Sequence, residues 1–224
     1  MEGIFLKNDR QILRTVPLFR GMREEEVGSI LDCLGARELL FGRGEAVLRA
    51  GEPARSLGVV LTGRVQVARE GADGSRVLMA VIPAGGMFAE AFACAGTDAL
   101  PVSVWAGEET SLLLLDCGRV VGTCPSACPF HTRLVGNLLG ILAEKNIFLS
   151  RKIEHLSKRT LGEKLLSYLE EQSALAGSRS FTIPLDRQGL ADYLCADRSA
   201  LSRELGRLQR AGILTTERSR FTLL

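Results

Sequence analysis

The sequence predicts an α+β fold: an N-terminal antiparallel β-roll (jelly-roll-like), one long helix, and a small C-terminal unit of helices with a β-hairpin. Three observations predict it. Between about residues 38 and 118, short β-type runs alternate with glycine (AVLRAGE, SLGVVLTGRVQVARE, SRVLMAVIPAGG, PVSVWAG, TSLLLLD). That spacing suits an antiparallel roll rather than βαβ units. Residues 130–157 carry the longest helical pattern in the chain, and residues 186–212, DRQGLADYLCADRSALSRELGRLQRAG, read as two helices separated by a tight turn.

Composition sets the outer limits. The chain has 224 residues, 46% hydrophobic and 24% charged, enough to bury one large or two small cores. Its start, MEGIFLKNDRQILRTV, lacks the apolar stretch of a signal peptide, and no run approaches the roughly 18 apolar residues of a membrane span. A cytoplasmic protein with no membrane partner is expected. Six scattered cysteines are not a disulfide framework; in a reducing compartment they are core residues, ligands or sensors.

Taken in order, residues 10–35 predict one or two short helices, punctuated by Pro17 and Gly21. GADG at 71–74 predicts a hairpin turn between VQVARE and SRVLMAVI. GTCPSACPF at 122–130 is a linker by composition. In the long helix, Val135, Leu142, Leu149 and Leu156 recur at seven-residue spacing, joined by Leu138, Leu139, Ile141, Ile147 and Ile153. This face is wider than one partner needs, so the helix is expected to meet both its own roll and a second subunit. The expected homodimer interface is Val135, Leu138, Leu142, Asn146, Leu149 and Ile153, with Asn146 helping to set register. The domain reading is 1–128 for a sensor roll with N-terminal helices, 129–157 for the dimerisation helix and 158–224 for the C-terminal unit. Within that unit a helix over about Thr160–Glu171, a short strand FTIPL and a final hairpin or wing in LTTERSRFTLL are expected.

The helix pair at 186–212 carries the clearest chemistry. Asp186 is an N-cap type and Leu190, Ala191 and Leu194 form an inner face. The second helix starts behind Asp197 and ends at Gly212, the expected C′ residue. Ala200, Leu201, Leu205 and Leu208 share one face, and Arg198, Ser199, Ser202, Arg203, Arg207 and Arg210 the other. A solvated amphipathic helix has the same pattern, but the charge distribution adds to it. Net charge is only +2, yet residues 198–220 hold six arginines against Glu204 and Glu217. An arginine-and-serine stripe at the start of a helix that follows a short turn suits entry into a DNA major groove.

Helix, roll, long helix, then a winged helix-turn-helix is an order that resembles the CRP/FNR family of bacterial transcription regulators over roughly residues 16–224. GRGEAVLRAGE, LTGRVQVARE and PAGGMFAE resemble the family's glycine-punctuated strand turns, and RSALSREL followed by RLQRAGIL resembles its recognition-helix pattern. The resemblance implies a dimer on near-palindromic double-stranded DNA, RNA polymerase as a partner if the protein activates, and a small-molecule effector in the roll. Arg198, Ser199 and Arg203 match the positions that reach base edges, Ser202 a base or a phosphate, and Arg207, Arg218 and Arg220 phosphates. Cys195 stands where the family often has glycine, which predicts a differently built turn.

The resemblance breaks in the effector pocket, expected at Gly86, Phe88, Glu90, Leu100 and Pro101. Gly86 and Glu90 match the cyclic-nucleotide members, but Leu100 and Pro101 replace the arginine and the serine or threonine that meet the cyclic phosphate. No lysine or arginine lies between Arg76 and Arg119. A buried anion without its charge partner is costly, so cyclic AMP is not the expected effector. A neutral, apolar or cationic ligand is. A redox- or metal-responsive alternative rests on Cys117, Cys124 and Cys128, spaced C-x6-C-x3-C, with Cys94 in the pocket loop. Zinc or an iron–sulfur cluster would need four such ligands, and haem would need His131 or His155. Trp105 is expected against the core of its strand. Two histidines and no GxSxG, HExxH or P-loop leave little to build an enzyme from, and none is expected.

Overall fold

The computed structural model describes residues 9–71, 76–122 and 129–224. They fall into two compact units, residues 1–143 and 144–224, each described by itself below.

The first unit opens with α1 (Asp9–Leu13), a 3-10 turn (Pro17–Phe19) and α2 (Glu24–Leu34). Eight strands follow: β1 (Arg37–Phe41), β2 (Ala46–Leu48), β3 (Ser56–Thr62), β4 (Arg64–Glu70), β5 (Arg76–Pro83), β6 (Met87–Phe88), β7 (Ser103–Ala106) and β8 (Thr110–Asp116). They form two antiparallel sheets, ordered β1-β8-β3-β6 and β2-β7-β4-β5. The hairpin expected around GADG is represented by the β4–β5 pairing from Arg64↔Pro83 to Glu70↔Arg76; the turn itself lies outside the described residues.

The two continuous apolar runs, SLGVVLT and TSLLLLD, become the paired central strands β3 and β8, buried on both faces. Val60, Leu112 and Leu114 face the space between the sheets, where they meet Phe88, Val65 and Val104. Leu57, Val59, Leu61, Leu113 and Leu115 face the other way, onto Leu18, Phe19, Ile30 and Leu34 of the N-terminal helical segment. Such runs cannot alternate, because neither face meets water.

Three short elements were not anticipated. β1 (RELLF) lies on a sheet edge, and the helices α3 (Glu90–Cys94) and α4 (Cys117–Val121) have only five residues each. None is long enough to show a period. The helix α5 (Pro129–Leu156) begins in this unit, where Leu134, Leu138 and Ile141 complete the core. Leu138, expected at a dimer interface, is only 2% exposed here and has no surface left for a partner. Leu142 packs partly against the same core and Val135 is half-buried. In the rest of α5, Asn146, Ile147, Leu149 and Ile153 are exposed.

The second unit contains α6 (Leu161–Ala176), β9 (Ser180–Thr182), α7 (Arg187–Tyr193), α8 (Arg198–Arg210), β10 (Leu214–Glu217) and β11 (Arg220–Leu223). Thr160 and Glu163 close a capping box on α6, which runs five residues past the expected Glu171 before the left-handed Gly177 ends it. The sheet is ordered β10-β11-β9 and makes the wing. Leu165, Leu169, Leu190, Leu194, Leu201, Leu205, Leu208 and Phe221 form one core beneath it.

Candidate nucleic-acid interface and effector region

Asp186 caps α7 by accepting a 2.7 Å hydrogen bond from the Gly189 amide. Asp197 occupies the N-cap position of α8, but its side chain makes no capping hydrogen bond. Between the helices Cys195 has φ +51°, so the turn expected to differ keeps the left-handed conformation that glycine would supply. The surrounding helices hold a cysteine in a region that costs an L-residue roughly 1–2 kcal/mol.

α8 turns Leu201, Leu205 and Leu208 into the core and leaves Arg198, Ser199, Ser202 and Arg203 exposed. The Ser202 hydroxyl donates to the Arg198 carbonyl at 2.9 Å, which leaves its oxygen as an acceptor. Arg207, expected to meet a phosphate, donates instead to Glu204, with Nη2 2.7 Å from Oε1. The carboxylate raises the Arg207 pKa above its ordinary value, chiefly through that hydrogen bond. Arg218 sits at the wing turn with φ +51°, and Arg220 lies 3.5 Å from the Ser180 hydroxyl.

One contributor was missed from sequence. Arg187 donates from Nη2 to Thr216 Oγ1 at 2.7 Å and places its guanidinium 5.1 Å from the Phe221 ring centre. Burial lowers its pKa. A residue just behind an N-cap carries no periodic signal that would mark it as a helix-to-wing tie. With Asp186, Gln188, Arg198, Arg218 and Ser219 it lines a cleft of about 380 Å³. Three guanidinium groups around one cleft suit a phosphate oxygen.

The expected effector residues are spread differently. The β5–β6 turn uses Gly85 at φ +82°, and a Cβ on Gly86 would lie 2.4 Å from the Ile82 side chain. Phe88 is fully buried over Gly58, whose Cβ, if present, would fall 2.0 Å from the ring. It therefore fills the space between the sheets rather than lining an open site. Glu90 is 4% exposed at the start of α3; Leu100 is 3% exposed and Pro101 is exposed. Leu100 ties the segment to the β2–β3 connection, its amide donating to Glu52 and its carbonyl accepting from Gly51. A buried leucine at that position offers a cyclic phosphate no charge, so the residues do not fit that ligand.

Trp105 differs from expectation. Val104 points into the inter-sheet core, so Trp105 stands on the opposite face of β7, half-buried, with the Arg76 guanidinium 4.1 Å and the Arg49 guanidinium 5.7 Å from its ring centre. Those cations are on the wrong face of β7 to serve the roll interior.

Of the cysteine group, Cys117 is buried and its Sγ lies 3.2 Å from that of Cys94, whereas Cys124 and Cys128 lie outside the described residues. Burial, with the neighbouring Cys94, pushes the Cys117 thiol up to about 12. Among the described residues no group of three or more His, Cys, Asp and Glu side chains is placed to hold a metal ion. His131 meets the Val120 carbonyl through Nε2 at 2.8 Å, and both ring nitrogens of His155 are engaged, by Ser167 and Glu171.

Two family models match this architecture in order. Residues 38–121 match the cyclic nucleotide-binding domain and residues 163–224 the Crp-like helix-turn-helix domain, together more than half of the chain. The chain belongs to the CRP/FNR family. It is thus a Crp-like DNA-binding transcription regulator with a cyclic-nucleotide-binding-like domain, and its family models are those of a regulator rather than an enzyme.

Solved structures agree with this CRP/FNR fold. The c-di-GMP responsive global regulator CLP of Xanthomonas campestris is 19% identical, with 90% of this chain and 99% of that one covered at a TM-score of 0.53. A regulatory protein of Silicibacter pomeroyi DSS-3, described as a candidate cAMP binder, is 24% identical, covering 97% and 94% at 0.51. DNR from Pseudomonas aeruginosa is 22% identical, covering 98% and 95% at 0.50. No curated protein sequence matches the chain. Among the described residues no helix is long and apolar enough to cross a membrane.

Proposed function

We propose that this regulator works as a homodimer on near-palindromic double-stranded DNA, with an effector in the roll that is not a cyclic nucleotide. The carrying observation is the exposed face of α8, where Arg198, Ser199, Ser202 and Arg203 project opposite buried Leu201, Leu205 and Leu208. Arg198, Ser199 and Arg203 read base edges, and an arginine there can grip guanine O6 and N7 for about 1–3 kcal/mol of discrimination. Arg218 and Arg220 meet phosphates. In a symmetric dimer the two recognition helices stand about 34 Å apart, one turn of DNA. Exposed Leu139, Ile147, Leu149 and Ile153 on α5 support the pairing of subunits.

The control step runs through the first unit. Ala93 of α3 shares a core with Leu134, Leu138 and Ile141 of α5, so a change in how residues 86–101 pack reaches the dimer helix. An effector shifts that equilibrium only by its differential affinity for the two states. Leu100 favours a neutral or apolar ligand, with Glu90 as acceptor for a donor or cation.

Selection of a binding sequence from random duplex DNA, followed by fluorescence anisotropy, tests this reading. Arg203→Ala is expected to lose preference for the selected site while keeping weak, salt-sensitive binding. Unchanged affinity and an unchanged footprint in Arg203→Ala would overturn it.

A further inference from the structure

Two thiols that are 23 positions apart in sequence meet in the first unit. Cys94 is the last residue of α3 and Cys117 the first of α4, and their sulfur atoms are 3.2 Å apart without a covalent bond. A disulfide needs about 2.05 Å, so closing it takes a movement of about 1 Å. The two sulfurs differ in access. Cys117 is 3% exposed within the core, its amide held by the Arg55 carbonyl, whereas Cys94 is only partly buried. A small oxidant therefore meets Cys94 first, with Cys117 already in van der Waals contact behind it.

α3 is a five-residue helix flanked by two left-handed positions, Ala89 at φ +62° and Gly96 at φ +63°. α4 follows β8 directly and is capped by Asp116, which accepts from the Arg119 amide at 2.9 Å. A bond between them would fasten α3 to α4 at the end of β8, a central strand of its sheet.

We propose that Cys94 and Cys117 are a reversible oxidation site that closes to a disulfide on exposure to hydroperoxides. In the first step the Cys94 sulfur attacks one peroxide oxygen. The O–O bond breaks, the departing oxygen takes up the Cys94 thiol proton and leaves as water or an alcohol, and Cys94 becomes a sulfenic acid. In the second step the Cys117 sulfur attacks that of Cys94. The S–O bond breaks, and the hydroxide takes the Cys117 proton and leaves as water. Two thiols lose two electrons, and the peroxide gains them; a dithiol reductant reverses the bond. Any consequence for DNA rests on the regulator reading above: pinning α3 changes its packing against the α5 core and so changes affinity.

The test treats the full-length protein with stoichiometric hydrogen peroxide, alkylates the remaining thiols and maps peptides by mass spectrometry. A Cys94–Cys117 crosslink, 2 Da lighter than the paired thiols and lost on reduction, is expected. Cys94→Ser should abolish it, and Cys117→Ser should leave Cys94 as a sulfenic acid trapped by dimedone. Exposed Cys33 and Cys195 serve as internal controls and should remain alkylatable. Cys94 joined to any other cysteine, or both thiols still free, would overturn the proposal. In parallel, DNA affinity of oxidised wild type should differ at least several-fold from that of oxidised Cys94→Ser. If the crosslink forms and the two affinities agree, the regulatory consequence is overturned while the site stands. If neither protein binds DNA before oxidation, the failure belongs to the regulator reading.

Discussion

Arg207 donates twice from Nε, at 3.1 and 3.2 Å, and once from Nη2, at 2.7 Å, to the carboxylate of Glu204 one turn earlier on α8. One of the arginines in the basic C-terminal segment is thus neutralised by its own helix. Glu204 also lies against α6, where a Cβ on Gly162 would fall 2.2 Å from its Oε1. The pair belongs to the packing of α6 on α8 as much as to the DNA face.

Removing that carboxylate frees a cation. In Glu204→Ala the slope of log affinity against log salt should steepen by about 1, the change expected for one added phosphate contact. Non-specific binding should tighten while preference among sequences stays unchanged. A slope equal to wild type would show that Arg207 does not reach the backbone even when released. Anisotropy titrations at four or five salt concentrations measure it.

The roll interior makes a second prediction. Gly58 has the Phe88 ring where a side chain would stand, with ring atoms 2.0 to 2.5 Å from an added Cβ. Gly58→Ala must push Phe88 off its seat, and overpacking of this kind costs typically 1–3 kcal/mol. Phe88→Ala alone should cost about 3–5 kcal/mol. Combined with Gly58→Ala it should cost less than the two losses added, because the methyl occupies part of the vacated space. Denaturant midpoints of the three variants decide; strict additivity would mean that the two positions do not share that space.

These residues also show what the sequence could reveal. β3 and β8 were legible because runs such as SLGVVLT and TSLLLLD cannot face water on either side, and α8 because Leu201, Leu205 and Leu208 keep a period of 3.6 against an arginine face. β1, α3 and α4 have five residues each, too few to establish a period. The engagement of Arg207 was hidden because a carboxylate three residues away looks the same in sequence whether it pairs or not. The meeting of Cys94 with Cys117 depends on the connections that bring α3 beside α4, and spacing along the chain is silent about that. Leu138 looked like an interface residue because an apolar stripe does not say which neighbour covers it.

The turn between α7 and α8 gives a third prediction. Cys195 holds φ +51° and is exposed. Cys195→Gly removes the steric cost of the left-handed region but adds freedom to the unfolded chain, so stability should rise by at most about 1 kcal/mol. Cys195→Val should lower it, since a β-branched residue is least tolerant of positive φ. DNA affinity should not change in Cys195→Gly. A destabilised glycine variant would mean that the cysteine side chain contributes contacts that outweigh its backbone strain.

Acid should loosen the second unit through the cap of α6. Glu163 accepts from the Thr160 amide at 3.0 Å while the Thr160 hydroxyl accepts from the Glu163 amide at 3.2 Å. The Thr160 backbone hydrogen bond, chiefly, holds the Glu163 carboxyl below its ordinary value of 4.5. A carboxyl whose folded pKa is depressed contributes stability that is fully present above the unfolded value. That stability is lost as pH falls from about that value through the folded one, because the unfolded chain takes up the proton first. Glu163→Gln keeps an acceptor at the cap but cannot titrate, so its acid limb should be shallower than wild type below about pH 4.5, with the two curves parallel above pH 6. Thr160→Ala removes the reciprocal bond and should cost about 1 kcal/mol at neutral pH. Because the cap stabilises the helix on which α8 packs, both variants should weaken DNA binding only at temperatures or pH values where the second unit begins to unfold, which paired circular dichroism and anisotropy melts would reveal.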